Sequence, residues 1–168
     1  MNKVKIFFVI IIMLFSFISI SFSEVNLNSP QEIGQYIHDN IQYTKDNLDH
    51  WQRPEETLSR GKGDCEDIAL LAKYYLNKIG IKTRIIMFTG TKNEQDKCHC
   101  ICVMLESNGT YSQVGQKYFN VYCKTVREVV NASAERLKYD EVLEVYILNT
   151  EYIEKKIIDT ETNHVDNN

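Results

Sequence analysis

The stretch Gly61-Lys62-Gly63-Asp64-Cys65-Glu66-Asp67 constrains the fold more than any other part of the chain. Two glycines in three residues make a loop. Asp64, answered three residues later by Asp67, makes a carboxylate version of the capping box. Ile68, Leu71, Ala72, Tyr75, Leu76 and Ile79 then recur at helical spacing, and Gly80 stands where a left-handed C-cap belongs. The pattern predicts a helix from Cys65 to about Ile79 with a cysteine in its first turn. Upstream, Ser29-Pro30-Gln31-Glu32 opens another helix carrying Ile33, Tyr36, Ile37 and Ile41 on its stripe. Downstream, Lys82–Thr89, Lys97–Leu105 and Thr110–Tyr122 are strand-like runs, with Asn108-Gly109 as a hairpin turn between the last two. Thr125-Val126-Arg127-Glu128 caps a helix to about Leu137, and Glu141–Leu148 is a last strand. The expected fold class is α+β, with the cysteine helix packed on a small antiparallel sheet. One domain is expected over residues 24–158, with a polar tail over 159–168 that frays.

The first 23 residues read differently. Lys3 and Lys5 precede an apolar run from Ile6 to Ile20, and Ser21-Phe22-Ser23 places small residues one apart before Glu24. This is the layout of a secretory signal cleaved after Ser23, which would make the protein secreted or periplasmic. An uncleaved membrane anchor is the alternative, although the run is short of the roughly 20 residues a span prefers. With the signal removed, no stable membrane association is expected. The formal charge of −4 argues against nucleic acid as a partner, since phosphate binding needs a clustered cationic surface.

Cys65 carries the chemistry. A thiol in the first helical turn feels the positive end of the helix dipole and unsatisfied N–H groups, both of which favour thiolate. The same N–H groups can hold an oxyanion. A cysteine nucleophile needs a base, and His99, mid-strand, is the candidate among the four histidines. His99, Ile101, Val103 and Leu105 share one strand face. If that apolar face packs on the Cys65 helix, imidazole and thiol meet.

Trp51-Gln52-Arg53-Pro54-Glu55-Glu56-Thr57-Leu58, then Gly63-Asp64-Cys65-Glu66-Asp67-Ile68-Ala69, then Leu76–Ile81 and His99 in a strand, resemble the transglutaminase-like superfamily. The bacterial transglutaminase-like cysteine peptidases are the closest type. The resemblance implies a papain-like α+β core, a Cys-His-Asp triad and acyl transfer through a thioester, on peptide or glutamine-type amide bonds, with no cofactor or metal. It implies a protein or peptide substrate. By position Cys65 is nucleophile, His99 is base, and Trp51 is a candidate for lining the cleft. The strand after His99 holds no acid. A two-residue Asn108-Gly109 turn would pair Ile101 with Gln116 and put Gln116 on the His99 face; a three-residue turn would place Gly115 there. Gln116 as a weakened third member, a bare dyad, or a silent domain binding a peptide or cell-wall partner are the readings this leaves open.

Cys98, Cys100 and Cys102 alternate with His99. On a strand they face opposite to the imidazole, which argues against one zinc tetrahedron. Same-face neighbours lie about 6.5–7 Å apart at Cα, at or beyond the disulfide limit. Cys123 could pair with one of the three, or all could remain packed thiols.

Overall fold

A computed structural model describes residues 25–45 and 50–154. The stretch read as a secretion signal and the polar tail lie outside the described residues. Helix α1 spans Pro30–Asn40; Ser29 caps it, its hydroxyl accepting the Glu32 N–H at 3.2 Å. A two-residue strand β1 (Gln42–Tyr43) pairs in parallel with β2 (Lys62–Gly63), across the short helix α2 (Pro54–Arg60). Helix α3 then runs Cys65–Lys78, and the Ile81 N–H closes back on Leu76 O at 2.9 Å past Gly80.

The sheet comprises β3 (Thr83–Lys92), β4 (Gln95–Leu105), β5 (Tyr111–Val114), β6 (Tyr118–Cys123) and β7 (Glu141–Leu148), in the order β6-β5-β4-β3-β7 and antiparallel throughout. The expected single run Thr110–Tyr122 is two strands. A tight turn at Gly115–Lys117, closed by Gly115 N–H to Lys117 O at 3.1 Å, folds it on itself. Helix α4 (Val126–Leu137) crosses between β6 and β7; the Thr125 hydroxyl caps it by accepting from Glu128 N–H.

Both faces of this sheet are covered, which decides everything downstream. Ile85, Cys100, Cys102, Met104 and Val114 pack with Ile33, Ile37, Leu71 and Leu76 of α1 and α3. Ile86, Phe88, Ile101 and Val103 pack with Val129, Val130 and Ala134 of α4. Alternation along β4 therefore sends even-numbered residues to α3 and odd-numbered ones to α4.

The hairpin between β4 and β5 has three loop residues, Ser107-Asn108-Gly109. Glu106 N–H bonds Thr110 O at 2.8 Å, and Gly109 takes φ +82, a value at which a side chain is strained. Val103 consequently pairs with Gln113 and Cys102 with Val114.

Leu71 has no exposed surface and lies at the centre of the α3 side. Leu71→Ala is expected to cost about 2–5 kcal/mol in urea unfolding, the range for a buried leucine truncation that leaves a cavity. A loss below about 1 kcal/mol would show that α3 is not the packed helix described.

Candidate active site

The site grows from the start of α3. Asp67, fully buried, accepts the Gln52 N–H at 2.8 Å on one carboxylate oxygen. Its other oxygen accepts the Gln52 side-chain amide at 2.7 Å and the Asp64 N–H at 3.1 Å. One side chain thus ties the Trp51-Gln52 segment to the turn that delivers Cys65. Gly63 is required by that closeness: a Cβ there would stand 2.7 Å from Asp67 Cβ and 2.9 Å from its Oδ2.

Cys65 is the first residue of α3, half-buried at the wall of a cleft of about 1120 Å³. Trp51, Tyr43, Tyr139, Tyr152, Cys100 and Gln116 also line that cleft. Trp51 is 2% exposed and meets the Tyr152 ring edge-on at 6.2 Å, so it forms the cleft's fixed wall. Tyr43 and Tyr139 were not singled out by the sequence. Both feel the Cys65 charge, and burial pushes each hydroxyl up to about 12.

The thiol has two neighbours. It donates to Glu66 Oε2 at 3.0 Å, and the Cys100 thiol lies near it. Cys100 and burial together push the Cys65 thiol far above its ordinary range. The thiolate expected from the helix dipole is not what the surroundings favour. Dipole effects of about 0.3–2 kcal/mol do not offset the several kcal/mol lost on desolvating an anion. Glu66, 5% exposed, is pushed up to about 8 by burial and then by Cys65. Asp64, Cys65 and Glu66 present ligand atoms within 4.8 Å of one another, the one such group among the described residues.

His99 lines the same cleft as Cys65, from the other face of β4. It is an odd-numbered β4 residue opposite Phe88 in register, and its ring meets the Phe88 ring edge-on at 5.6 Å on the α4 side. Burial, with Arg136 and then Lys92 nearby, lowers the imidazole to about 4, so it is neutral at pH 7. The sequence argument assumed that the Ile101/Val103 face lies on α3; the cysteine face does. Gln116 does not pair with Ile101. It falls in the turn between β5 and β6, lines the cleft, and its amide donates to Ile41 O at 2.8 Å, pinning the end of α1. Gln113 instead occupies the His99 face, accepting from Ser133 Oγ at 2.6 Å. His50 pairs with Glu56 at 3.0 Å, and His38 is exposed on α1. All five cysteines are free thiols. Cys123 packs among the α4-side residues, away from the cluster holding Cys100 and Cys102.

A profile described as transglutaminase-like superfamily matches residues 20–154, and the chain belongs to that superfamily. Among solved structures, calcium-bound Legionella pneumophila LapG is 16% identical with a TM-score of 0.50, over 73% of this chain and 64% of that one. EGTA-treated LapG from the same organism is 13% identical with a TM-score of 0.48, over 76% and 77%. A Cytophaga hutchinsonii protein assigned as a cysteine protease is 14% identical with a TM-score of 0.45, over 76% and 46%. The chain thus spans about 64% of the calcium-bound LapG chain. The family match and the likeness to calcium-bound LapG bear on fold: a mixed helix and antiparallel-sheet core of papain-like, transglutaminase-like type. No curated protein matches the sequence significantly.

Two measurements check the site. Asp67→Ala strands two buried N–H groups and an amide, and is expected to cost about 3 kcal/mol or more by urea unfolding. A loss below about 1 kcal/mol would mean the clasp is not formed. For His99, the folded value of about 4 lies below the ordinary 6.5. The unfolded chain therefore binds a proton that the folded one refuses, and this group's contribution lowers stability as pH falls from 6.5 towards 4. In an NMR titration its ring signals should stay fixed down to about pH 5. Movement centred near 6.5 would place the ring in solvent.

Proposed function

We propose that this chain is a transglutaminase-like domain that binds a peptide or protein segment in the cleft beside Cys65, and that the domain is silent in amide hydrolysis through a Cys65–His99 pair. One observation carries the reading: the thiol donates to Glu66, while the imidazole, which lines the same cleft, lies edge-on to the Phe88 ring. A nucleophilic cysteine requires a base within hydrogen-bond reach, and a thiol held protonated attacks no carbonyl. The cleft suits a peptide because it is wide and walled by Trp51, Tyr43, Tyr139 and Tyr152, large amphipathic rings that grip chain segments at low entropic cost.

A second reading is favoured by the placement of Cys65 at the first helical position, facing that cleft. In it the protein is a cysteine hydrolase or acyltransferase. Sulfur attacks a peptide or glutaminyl carboxamide carbon, the amine leaves with a proton, and water or a second amine resolves the thioester. It demands that a base reach Cys65 when substrate binds. Neither reading calls on a cofactor.

We also infer export, on the strength of the lysine-flanked apolar run and Ser21-Phe22-Ser23. Expressed in a bacterial host with an intact secretion system, the protein should appear outside the cytoplasm beginning at Glu24. Full-length protein retained in the cytoplasm would refute export, and full-length protein in the membrane would establish an anchor.

The functional test compares wild type with Cys65→Ala. Ammonia or amine release from glutaminyl and peptide substrates should be equally absent in both, and a bound peptide should keep its Kd within about twofold in the variant. Release that wild type shows and Cys65→Ala lacks would overturn the silent reading and establish the hydrolase.

A further inference from the structure

The sheet has an edge inside the cleft. β4 pairs with β3 from Gln95 to Met104, but β5 covers only Cys102–Leu105 before the chain leaves at the Gly115–Lys117 turn. Over Gln95–Ile101 no strand lies on the β5 side of β4 among the described residues. The bond from Glu106 N–H to Thr110 O fixes the phase of the ladder. Even-numbered β4 residues, Asp96 and Cys100 among them, point N–H and C=O toward the side that β5 leaves uncovered. The uncovered stretch is roughly 20 Å long at about 3.4 Å per residue. It lines the same cleft as Cys65, and Gln95 and Asp96 at its open end are exposed. A strand edge of this kind is a template for pairing with a further chain segment.

The two faces beside this edge differ in charge. Odd-numbered β4 residues and even-numbered β3 residues face α4, which puts Lys97 and Lys92 together on that side, both lining the cleft. The charges that reach the His99 ring there are those of Arg136 and Lys92, both cationic. On the α3 side the cleft carries the carboxylates of Asp64, Glu66 and Asp96, with exposed Lys45 beyond β1. A strand laid along the edge sends alternate side chains to these two faces, because residues opposite each other in a ladder share a face. We propose that the cleft takes its peptide as an added β-strand on the Gln95–Ile101 edge, and that this peptide carries acidic side chains two residues apart, turned to Lys92 and Lys97, with none at the position between, which turns to the Cys65 side. Main-chain pairing supplies the affinity and the alternate side chains supply the selection. Like charge excludes acids from the intervening position, where Asp64 and Asp96 stand. The inference rests on the peptide-binding reading proposed above and adds to it the conformation and charge class of the ligand.

The test screens the full chain against a positional-scanning library of acetylated nonapeptide amides, with protection of Cys65 from alkylation as the check that binders occupy the cleft. Asp or Glu should be selected at two positions with one between, and rejected at the intervening one. In the double variant Lys92→Glu, Lys97→Glu the selected side chains should turn to Lys or Arg. The best ligand is then remade with single backbone N-methyl groups. Methylation at alternate residues should weaken Kd about tenfold, as each removes a pairing donor, and methylation at the residues between should leave Kd within about twofold. Ligands that protect Cys65 yet show no acidic alternation, or no period-two response to N-methylation, would overturn strand addition and leave peptide binding standing. Binding by no pool at all would overturn both. The wild-type screen and the N-methyl series decide the matter even if the double variant folds poorly.

Discussion

The carboxylate of Asp67 is the interaction on which the rest depends. It is fully buried and takes hydrogen bonds from Gln52 backbone, Gln52 side chain and the Asp64 N–H. A buried carboxylate is tolerated only when its lone pairs are met, and here backbone and amide donors meet them. The same bonds fix the Trp51 wall of the cleft against the turn that presents Cys65. The conjunction of a Trp-Gln segment with Gly-Asp-Cys-Glu-Asp in the sequence is thus one structural unit: Gly63 leaves room for the acid, Asp67 supplies it, and Gln52 receives it.

Much of this was legible beforehand. Ser29, Thr125 and Gly80 punctuate helices where their side-chain chemistry predicts, and the apolar stripe from Ile68 to Ile79 fixes α3 as a core helix. The face of β4 was not legible. Both of its faces are apolar enough to bury, because Cys100, Cys102 and Met104 serve a core as well as Ile101 and Val103 do. Alternation reveals that two faces exist, and the choice between them rests on which helix covers which side. That depends on α4 crossing the far side of the sheet, a tertiary fact with no local signature. The choice of face carried into the site: it set His99 on the α3 side and, with a two-residue turn, Gln116 beside it, whereas the structure gathers Cys65, His99 and Gln116 around one cleft from different faces. The hairpin register turned on one residue at Asn108-Gly109, where a positive φ at glycine serves both turn lengths.

The ionisation of Cys65 shows how competing effects of known size are settled by surroundings. The helix terminus pulls toward thiolate by a modest amount. The neighbouring Cys100 thiol and burial pull the other way, and the smaller pull of the Glu66 hydrogen bond toward thiolate does not offset them. The histidine of β4 lines the same cleft but lies edge-on to the Phe88 ring, and the thiol's own hydrogen bond goes to Glu66. The superfamily's scaffold is present, and the local electrostatics are those of a resting thiol.

The alternation of β4 has a last consequence. A single strand position, 100, projects from the α3 face of the sheet into the cleft that Cys65 lines, with Met87 beside it on β3 and Tyr43 lining the same cleft. The residue type at that one place determines whether the thiol confronts another sulfur or a proton acceptor. Within an unchanged backbone, the difference between a latent and an armed version of this domain is the width of one side chain.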